Sequence, residues 1–176
     1  MGSPDRRRRA ARLMEEYSPA LLAYFHRRVD AGEAADLLND TLLVIWRQAR
    51  SVPDDDDQAR MWMYGIARRV LATHRRSHRR RSALHERLQA ELTTVSTEDP
   101  DEVRALREAL AQLPEIDQEI IRLVHWDGFT QVEVARLLDM PEATVRSRHQ
   151  RARQRLRALL GAGSTAVRPT RTSVTG

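Results

Sequence analysis

Apolar residues recur at steps of three and four along most of this chain, the spacing that places them on one face of an α-helix. Between residues 130 and 160 two such stripes follow one another across a polar turn. Thr130 and Glu133 fit a capping box at the start of the first helix. Asp139 suits a left-handed position in the turn, and Pro141 suits the first turn of the next helix. The segment therefore predicts two helices, of which the second has the inward stripe Val145, His149, Ala152, Leu156 and Leu159.

The outward faces of the second helix are crowded with Arg, with Ser147 and Gln150 between them. Arg and Gln can contact base edges through two hydrogen bonds, and Ser can bind a phosphate or a base. Ala135, four residues after Gln131, and Val145, fourteen after it, fit the packing points of a helix-turn-helix. We therefore predict a DNA-reading motif. The alternative is a basic amphipathic helix on an ordinary helical bundle.

The amino-terminal part predicts three helices. The first dozen residues are basic and are interpreted as a solvated lead-in that becomes helical toward Leu13 and Tyr17. A new helix is then expected to start at Ser18 and Pro19. A second helix is predicted from Glu33 to about Arg50. Its expected buried residues are Leu37, Leu38, Thr41, Leu42, Ile45 and Trp46.

The outer side of this second helix is a mixed surface in which one Leu is framed by acids and amides. Its members are Asp36, Asn39, Asp40, Leu43 and Arg47. Such a composition is typical of a partner-binding face. An ordinary solvated face with one tolerated Leu explains it equally well.

A long third helix is predicted from Gln58 to about Arg81, after a loop with four consecutive Asp that favours its amino terminus. The residues expected to pack inward are Trp62, Ile66 and Val70, together with Met63 and Ala67. The stretch 68–81 holds seven Arg and no acid. Like charges at helical spacing repel each other, so an anionic polymer would stabilise this surface.

The downstream part predicts an acidic linker over residues 82–103 and a second helical domain over 104–160, before a disordered tail at 161–176. The first domain is assigned to residues 10–81, and the fold class is all-α. Two further apolar stripes precede the helix-turn-helix; they comprise Leu106, Leu110 and Leu113, then Ile116, Ile120, Ile121, Val124 and Trp126.

Composition narrows the function classes. The net charge is +5, all thirty basic residues are Arg, and a guanidinium binds phosphate in a planar fork. The chain has no Cys, hence no disulfide or thiolate metal site, and its six His are scattered without the spacing of a metal site or general base. No apolar run reaches membrane-spanning length. We expect a cytoplasmic binding protein without cofactor or metal, not an enzyme.

Together these segments resemble an RNA polymerase sigma factor of the bacterial extracytoplasmic-function (ECF) group. AADLLNDTLLVIW is similar to the family's polymerase-binding segment, ARMWMYGIARRVLATHRRSHRR to its minus-10 segment, and LREALAQLPEIDQEIIRLVHWDGFTQVEVARLLDMPEATVRSRHQRARQRL to its minus-35 segment. The resemblance implies two helical domains that bind core RNA polymerase and promoter DNA, help to melt the promoter, and are controlled by an anti-sigma factor.

The resemblance also implies roles for individual residues. Those expected at the polymerase, with the mixed surface included, are Asp36, Leu37, Asn39, Asp40, Leu43, Trp46 and Arg47. Those expected at the minus-10 element are Tyr64, Arg68, Arg69, His74, Arg75, Arg76, Arg79 and Arg80, with Tyr64 and the Arg planes as stacking platforms for bases. Those expected at the minus-35 element are Gln131, Thr144, Arg146, Ser147, Gln150, Arg151 and Arg153.

Four positions depart from the family pattern. Arg69 stands where an Asn is usual and Thr73 where an Asp is usual, which bears on minus-10 preference. Ala143 replaces a frequent Gly. His149 occupies a place more often taken by Leu or Ile, and we interpret it as a rim histidine covering the core rather than as a pH switch.

Two other functions fit parts of the pattern. A free-standing helix-turn-helix regulator would bind duplex DNA without polymerase, and an Arg-rich RNA-binding protein would use the same charges. A regulator needs a ligand pocket or a phosphoacceptor in its first domain, and the sequence predicts a three-helix unit with neither. The sigma factor interpretation is therefore preferred.

Overall fold

The computed structural model describes residues 3–85 and 101–164, and every regular element in these ranges is helical. The chain forms two compact units, which divide between Leu92 and Thr93. Most of the predicted linker and most of the predicted tail lie outside the described residues. Within the two described ranges, no helix has the length and apolar character needed to cross a membrane.

The first unit consists of three long helices, α1 (Ser3–His26), α2 (Ala31–Arg47) and α3 (Asp56–His85). A 3-10 helix, Ala49–Ser51, follows α2. Helix α2 packs on both α1 and α3. Large side chains in the core include Leu13, Leu21, Tyr24, Phe25, Ile45, Met63 and Ile66.

Helix α1 is one continuous helix, so the predicted restart at Ser18 and Pro19 is wrong. Pro19 lies inside the helix, where it lacks the N–H that would bond to the preceding turn. Such a proline costs about 3 kcal/mol in a helix interior. Ser18 Oγ donates to the carbonyl of Met14 in that turn, and apolar side chains are buried on both sides of the proline. Core packing on both sides therefore outweighs the local signal for a break.

The basic lead-in is also part of the fold and not a solvated terminus. Ala10 is fully buried. Arg9 donates from Nε to the Pro53 carbonyl at 3.1 Å, and its Nη2 lies 2.6 Å from Asp56 Oδ1 at the start of α3. Arg6 donates to the carbonyl of Arg50. These contacts attach the first turns of α1 to the segment between α2 and α3.

The buried faces of α2 and α3 differ in part from the predicted ones. Leu37, Thr41 and Ile45 are buried as expected, whereas Trp46 is 45% exposed. Each residue turns a helix by about 100°, so the position after Ile45 lies beside the buried stripe. On α3, Trp62 is only half-buried. The buried residues among the described side chains of α3 are Ala59, Met63, Tyr64, Ile66, Ala67 and Leu71, of which Met63, Ile66 and Ala67 were predicted. Val70, also predicted to pack inward, is half-buried.

The second unit consists of α4 (Asp101–Ala111), α5 (Glu115–His125), α6 (Gln131–Leu138) and α7 (Glu142–Ser164). Helix α7 packs against the other three. The core of this unit includes Ala109, Leu110, Leu113, Ile121, Ala152 and Leu156, with Leu106 and Leu159 partly buried against them. These residues belong to the stripes predicted from sequence, apart from Ala109.

The prediction of an apolar stripe on α5 is wrong at its last residue, Trp126. Trp126 is 43% exposed. It lies about 120° around the helix from Ile120, outside the buried stripe. Leu123, which the sequence analysis missed, is fully buried instead. Gly128 then turns the chain with φ 69°.

The predicted chemistry of the helix-turn-helix is confirmed. Thr130 Oγ1 accepts from the Glu133 backbone N–H, and Glu133 Oε2 accepts from the Thr130 backbone N–H at 2.7 Å. Asp139 ends α6 with φ 54° and ψ 51°, the left-handed conformation. Ala135 is buried where α6 packs on α7. Hydrogen bonds of the capping side chains thus fix the start of α6, and backbone hydrogen bonds of Asp139 fix its end.

The capping box predicts a specific loss of stability. Thr130→Ala should destabilise α6 by about 0.5 to 2 kcal/mol, because the Glu133 N–H loses its acceptor. Thr130→Ser retains a hydroxyl and should retain most of the protection. Hydrogen exchange of α6 amides in the full chain measures both, and equal protection in the two variants would contradict a capping role.

Candidate nucleic-acid interface

The first half of α7 presents a polar surface directed away from the core. Its exposed residues include Arg146, Ser147, Gln150, Arg151 and Arg153, all predicted minus-35 readers. Thr144 is half-buried at the start of the same helix. The amino-terminal end of a recognition helix is the part that meets base edges in known helix-turn-helix proteins. This face therefore has the groups and the position needed to enter a major groove.

The opposite face of α7 holds the helix in place. Val145 is fully buried, Ala152 is 2% exposed and Leu156 is 8% exposed. Leu159 is half-buried. The inward stripe predicted from sequence thus packs in the core, and the polar residues of α7 are directed by it.

Arg148 does not belong to the exposed basic flank in which its spacing placed it. Its Nη1 lies 2.9 Å from Oδ1 of Asp117 on α5, and the Asp117 side chain is only 14% exposed. A charge-assisted hydrogen bond of this kind is stronger than a neutral one. Arg148 therefore joins α7 to α5.

His149 lies deeper than a rim residue, at 5% exposure. Its Nε2 is 3.1 Å from Nε2 of His125, and its Nδ1 is 3.1 Å from Nε2 of Gln131. Burial lowers the pKa of His149 below its ordinary value, and His125 and then Arg153 lower it further. Gln131, predicted as a minus-35 reader, thus has its amide engaged inside the protein. His125 was missed, because nothing in the sequence pairs it with a residue 24 positions away.

Helix α3 presents the cationic surface predicted for minus-10 DNA. Arg69, Arg76 and Arg79 are exposed, and Arg68 and Arg75 are half-buried. The side chain of Arg80 lies outside the described residues. Thr73 donates to the Arg69 carbonyl at 3.0 Å and accepts from Arg76 Nη2 at 3.0 Å. The residue that departs from the family pattern at 73 therefore helps to fix Arg76.

Two other residues predicted at the minus-10 element face the protein. Tyr64 is 2% exposed and packs edge-on against Tyr24, with ring centroids 5.5 Å apart, so it is not a stacking platform for bases. His74 Nε2 lies 3.4 Å from Glu33 Oε1, which joins α3 to α2. The sequence analysis assigned Trp62 to the core, yet this ring is half-buried on α3 and is more accessible than that of Tyr64.

The mixed surface on α2 is exposed, as its composition required. Leu43 is 52% exposed, and Asp36, Asn39, Asp40 and Arg47 are exposed around it. Trp46 extends the surface, with the Arg7 guanidinium 5.9 Å from its ring centroid. Leu37 is 2% exposed, so it can support this surface only from beneath.

Known families match both units. The model of sigma-70 region 2 matches residues 13–81, and the model of sigma-70 region 4 matches residues 103–156. The chain is 32% identical over 155 residues to the ECF RNA polymerase sigma factor SigL of Mycobacterium tuberculosis, covering 84% of this chain and 86% of that protein. It is 25% identical over 138 residues to the ECF RNA polymerase sigma factor SigM of Bacillus subtilis, covering 76% and 83%.

Two solved structures share the fold. One is the sigma factor RpoE of Bartonella quintana in complex with the anti-sigma factor NepR, with a TM-score of 0.71, 24% identity, and coverage of 90% of this chain and 98% of that one. The other is CnrH in complex with the cytosolic domain of CnrY, with a TM-score of 0.61, 24% identity, and coverage of 88% and 89%.

The ion pair between α5 and α7 predicts that Arg148 acts on stability. Arg148→Met should destabilise the protein by about 1 to 3 kcal/mol, because the half-buried Asp117 carboxylate loses a charged partner. Arg151→Met, at an exposed position of the same helix, should change stability by less than about 0.5 kcal/mol. Urea unfolding of the full chain, followed by circular dichroism, compares them; a larger loss in Arg151→Met would refute the assignment.

Proposed function

The chain belongs to the ECF family of RNA polymerase sigma factors, and we propose that it binds core polymerase, recognises a minus-35 and a minus-10 element and helps to melt the promoter. Members of this family are transcription initiation factors and not enzymes. The observation that carries the proposal is the division of α7 into a buried inner stripe and an exposed outer face of Arg, Ser and Gln. Such a helix can enter a groove of DNA without disturbing the packing of its inner face.

For the minus-35 element, we assign base reading to the first turns of α7. Arg146 and Gln150 lie one turn apart on one exposed face, and each can form two hydrogen bonds with a base. Arg155 and Arg157 lie further along the helix, where we expect contacts with phosphates. Thr144 and Gln131 are half-buried, so we give them supporting roles at the same site.

For the minus-10 element, we assign DNA binding to the Arg side chains of α3. Guanidinium planes can bind phosphates and stack on unpaired bases. The burial of Tyr64 leaves Trp62 as the more accessible aromatic ring on this helix. We therefore propose that any aromatic stacking on α3 uses Trp62.

For core polymerase, we assign binding to the surface of Leu43 and Trp46 with its surrounding acids. Both apolar side chains are close to half exposed in the free protein, and exposed apolar groups framed by polar ones are common at interfaces. The solved sigma factor RpoE of Bartonella quintana, which shares this fold, is bound to the anti-sigma factor NepR, and we propose a partner of that class for this chain. Binding to core polymerase and binding to the anti-sigma partner would both take place in the cytoplasm.

The proposed polymerase surface can be tested by charge reversal. Asp40→Arg together with Leu43→Glu should abolish co-purification with core polymerase and transcription from genomic DNA, because both side chains point outward. Glu16→Arg with Ala20→Glu makes the same charge changes on an exposed face of α1 and should bind normally. Circular dichroism must be unchanged in both. Transcript sequencing with the wild-type complex identifies the promoters, and the absence of specific transcripts would refute the function.

Base reading and phosphate binding on α7 can be separated. Arg146→Ala should cost about 1 to 3 kcal/mol at its cognate base pair and relax the preference there. Arg157→Ala should weaken binding to all sequences alike and lower the salt slope by about one. Binding by the polymerase complex to single-base minus-35 variants at several salt concentrations measures both. If Arg146→Ala weakened every variant equally, it would not be a base reader; tight specific binding by the free protein would favour a regulator.

A further inference from the structure

Two histidines and a glutamine join three helices of the second unit. His149 on α7 bonds through Nε2 to His125, the last residue of α5, and through Nδ1 to Gln131, the first residue of α6. The two imidazole rings meet edge to edge and are nearly coplanar, with centroids 5.2 Å apart and an interplanar angle of 22°. We call this group of three the histidine latch. Both nitrogens of the buried ring are occupied, and each connects α7 to a different helix.

The number of protons on the two histidine rings decides whether the hydrogen bonds of the latch can form. A hydrogen bond between two imidazole nitrogens needs a proton on one nitrogen and a lone pair on the other. One extra proton is tolerated, because the rings can exchange tautomers and the Gln131 amide can turn its oxygen toward His149. With two extra protons, N–H groups face each other across 3.1 Å and both rings carry positive charge. The contact between His125 and His149 cannot then persist.

We propose that His149 is a positioning residue for the recognition helix, and that protonation of both histidines releases it, so that reading of the minus-35 element weakens as the pH falls. The inference rests on the proposed function of α7. It depends on His149 being a histidine in place of the Leu or Ile that is more usual in the family, so it concerns this chain in particular.

The groups around His149 oppose its protonation. From α5 it faces His125, and on α7 itself Arg153 lies one turn further on; both lower its pKa, after the larger effect of burial. From α6 it faces the neutral amide of Gln131, while the acid of that helix turn, Glu133, is engaged in the capping box. Nearby on α7, Arg148 is paired with Asp117 of α5.

The direction of the pH effect follows. The pKa of His149 is lower in the folded protein than in an unfolded chain, where it is about 6.5. Stability from the neutral ring is therefore fully present above about pH 6.5 and is lost as the pH falls from there toward the folded pKa.

The latch lies between the residues that we assign to base reading. Arg146 precedes His149 by three residues and Gln150 follows it directly, so both flank the latch along α7. Hydrogen bonds to bases require donor–acceptor distances of about 2.7 to 3.2 Å. A small shift of α7 would break such bonds, whereas contacts of flexible Arg side chains with phosphates would tolerate it. Release should therefore reduce sequence preference more than total DNA affinity.

Hydrogen exchange of the full chain without DNA tests the latch itself. Protection factors, which correct for the pH dependence of chemical exchange, should be constant for α7 amides above about pH 6.5 and fall below it, by up to tenfold per pH unit for each proton taken up. His149→Leu should remove this fall, because an apolar side chain fills the site without titrating. An equal fall in His149→Leu, or none in the wild type, would overturn the proposal.

Two further variants keep this test independent of folding defects. His125 is exposed, so His125→Leu should fold; without the second ring, the pKa of His149 should rise toward its ordinary value and the total fall in protection should become smaller. An unchanged fall would count against the pair. His26→Leu changes an exposed histidine of the first unit and should behave as the wild type does. Circular dichroism checks the helix content of each.

Binding of the polymerase complex to a mapped minus-35 duplex and to a scrambled one gives the second readout. The affinity ratio should fall with pH in the wild type and stay constant in His149→Leu. A pH-independent ratio, with the exchange effect present, would overturn the positioning role. If the free chain shows the exchange effect but the polymerase complex has no sequence preference at any pH, the proposed function of α7 is refuted instead.

Discussion

Burial of the inner face of α7 is the interaction on which the second unit depends. Helices α4, α5 and α6 each pack against this face, and Val145, Ala152 and Leu156 lie within it. The outer face carries closely spaced Arg, whose mutual repulsion opposes helix formation in isolation. Tertiary packing therefore keeps the helix folded while its charges stay exposed. A nucleic acid would lower the same repulsion from the other side, so packing and binding act on one helix without competing for residues.

Local rules predicted the parts of the fold that local forces determine. The capping box at Thr130, the left-handed Asp139 and the inward stripe of α7 all follow from backbone hydrogen bonding and helical periodicity. The errors lie where packing overrides those rules or where a residue lies outside the buried stripe. Pro19 continues α1 because the core holds both of its neighbouring turns. Trp126 is exposed because it lies about 120° around the helix from Ile120, outside the buried stripe. Helix existence was therefore easier to predict than helix limits or the edge of a buried face.

The chemistry of the sites was less predictable than the fold, because it depends on partners distant in sequence. Arg148 has the spacing of an exposed basic residue, but its carboxylate partner is 31 positions earlier. Tyr64 has an aromatic ring of the kind that stacks on bases, but this ring is buried and packs edge-on against Tyr24. His149 was interpreted as covering the core, which its burial supports; its pairing with His125 appears only when α5 and α7 are packed together. Periodicity gives the face of a side chain but not its neighbour.

The attachment of Arg9 to Asp56 has a practical consequence for dissecting the protein. The sequence placed the start of the first domain at residue 10, which would discard the guanidinium that reaches both the Pro53 carbonyl and the start of α3. A fragment that began at residue 10 would lose the hydrogen bonds of Arg9 with the Pro53 carbonyl and the Asp56 carboxylate. It would thereby lose contacts between α1 and the segment that connects the other two helices. Fragments for binding or structural work should therefore retain the chain from before Arg6, and an affinity tag belongs at the other end.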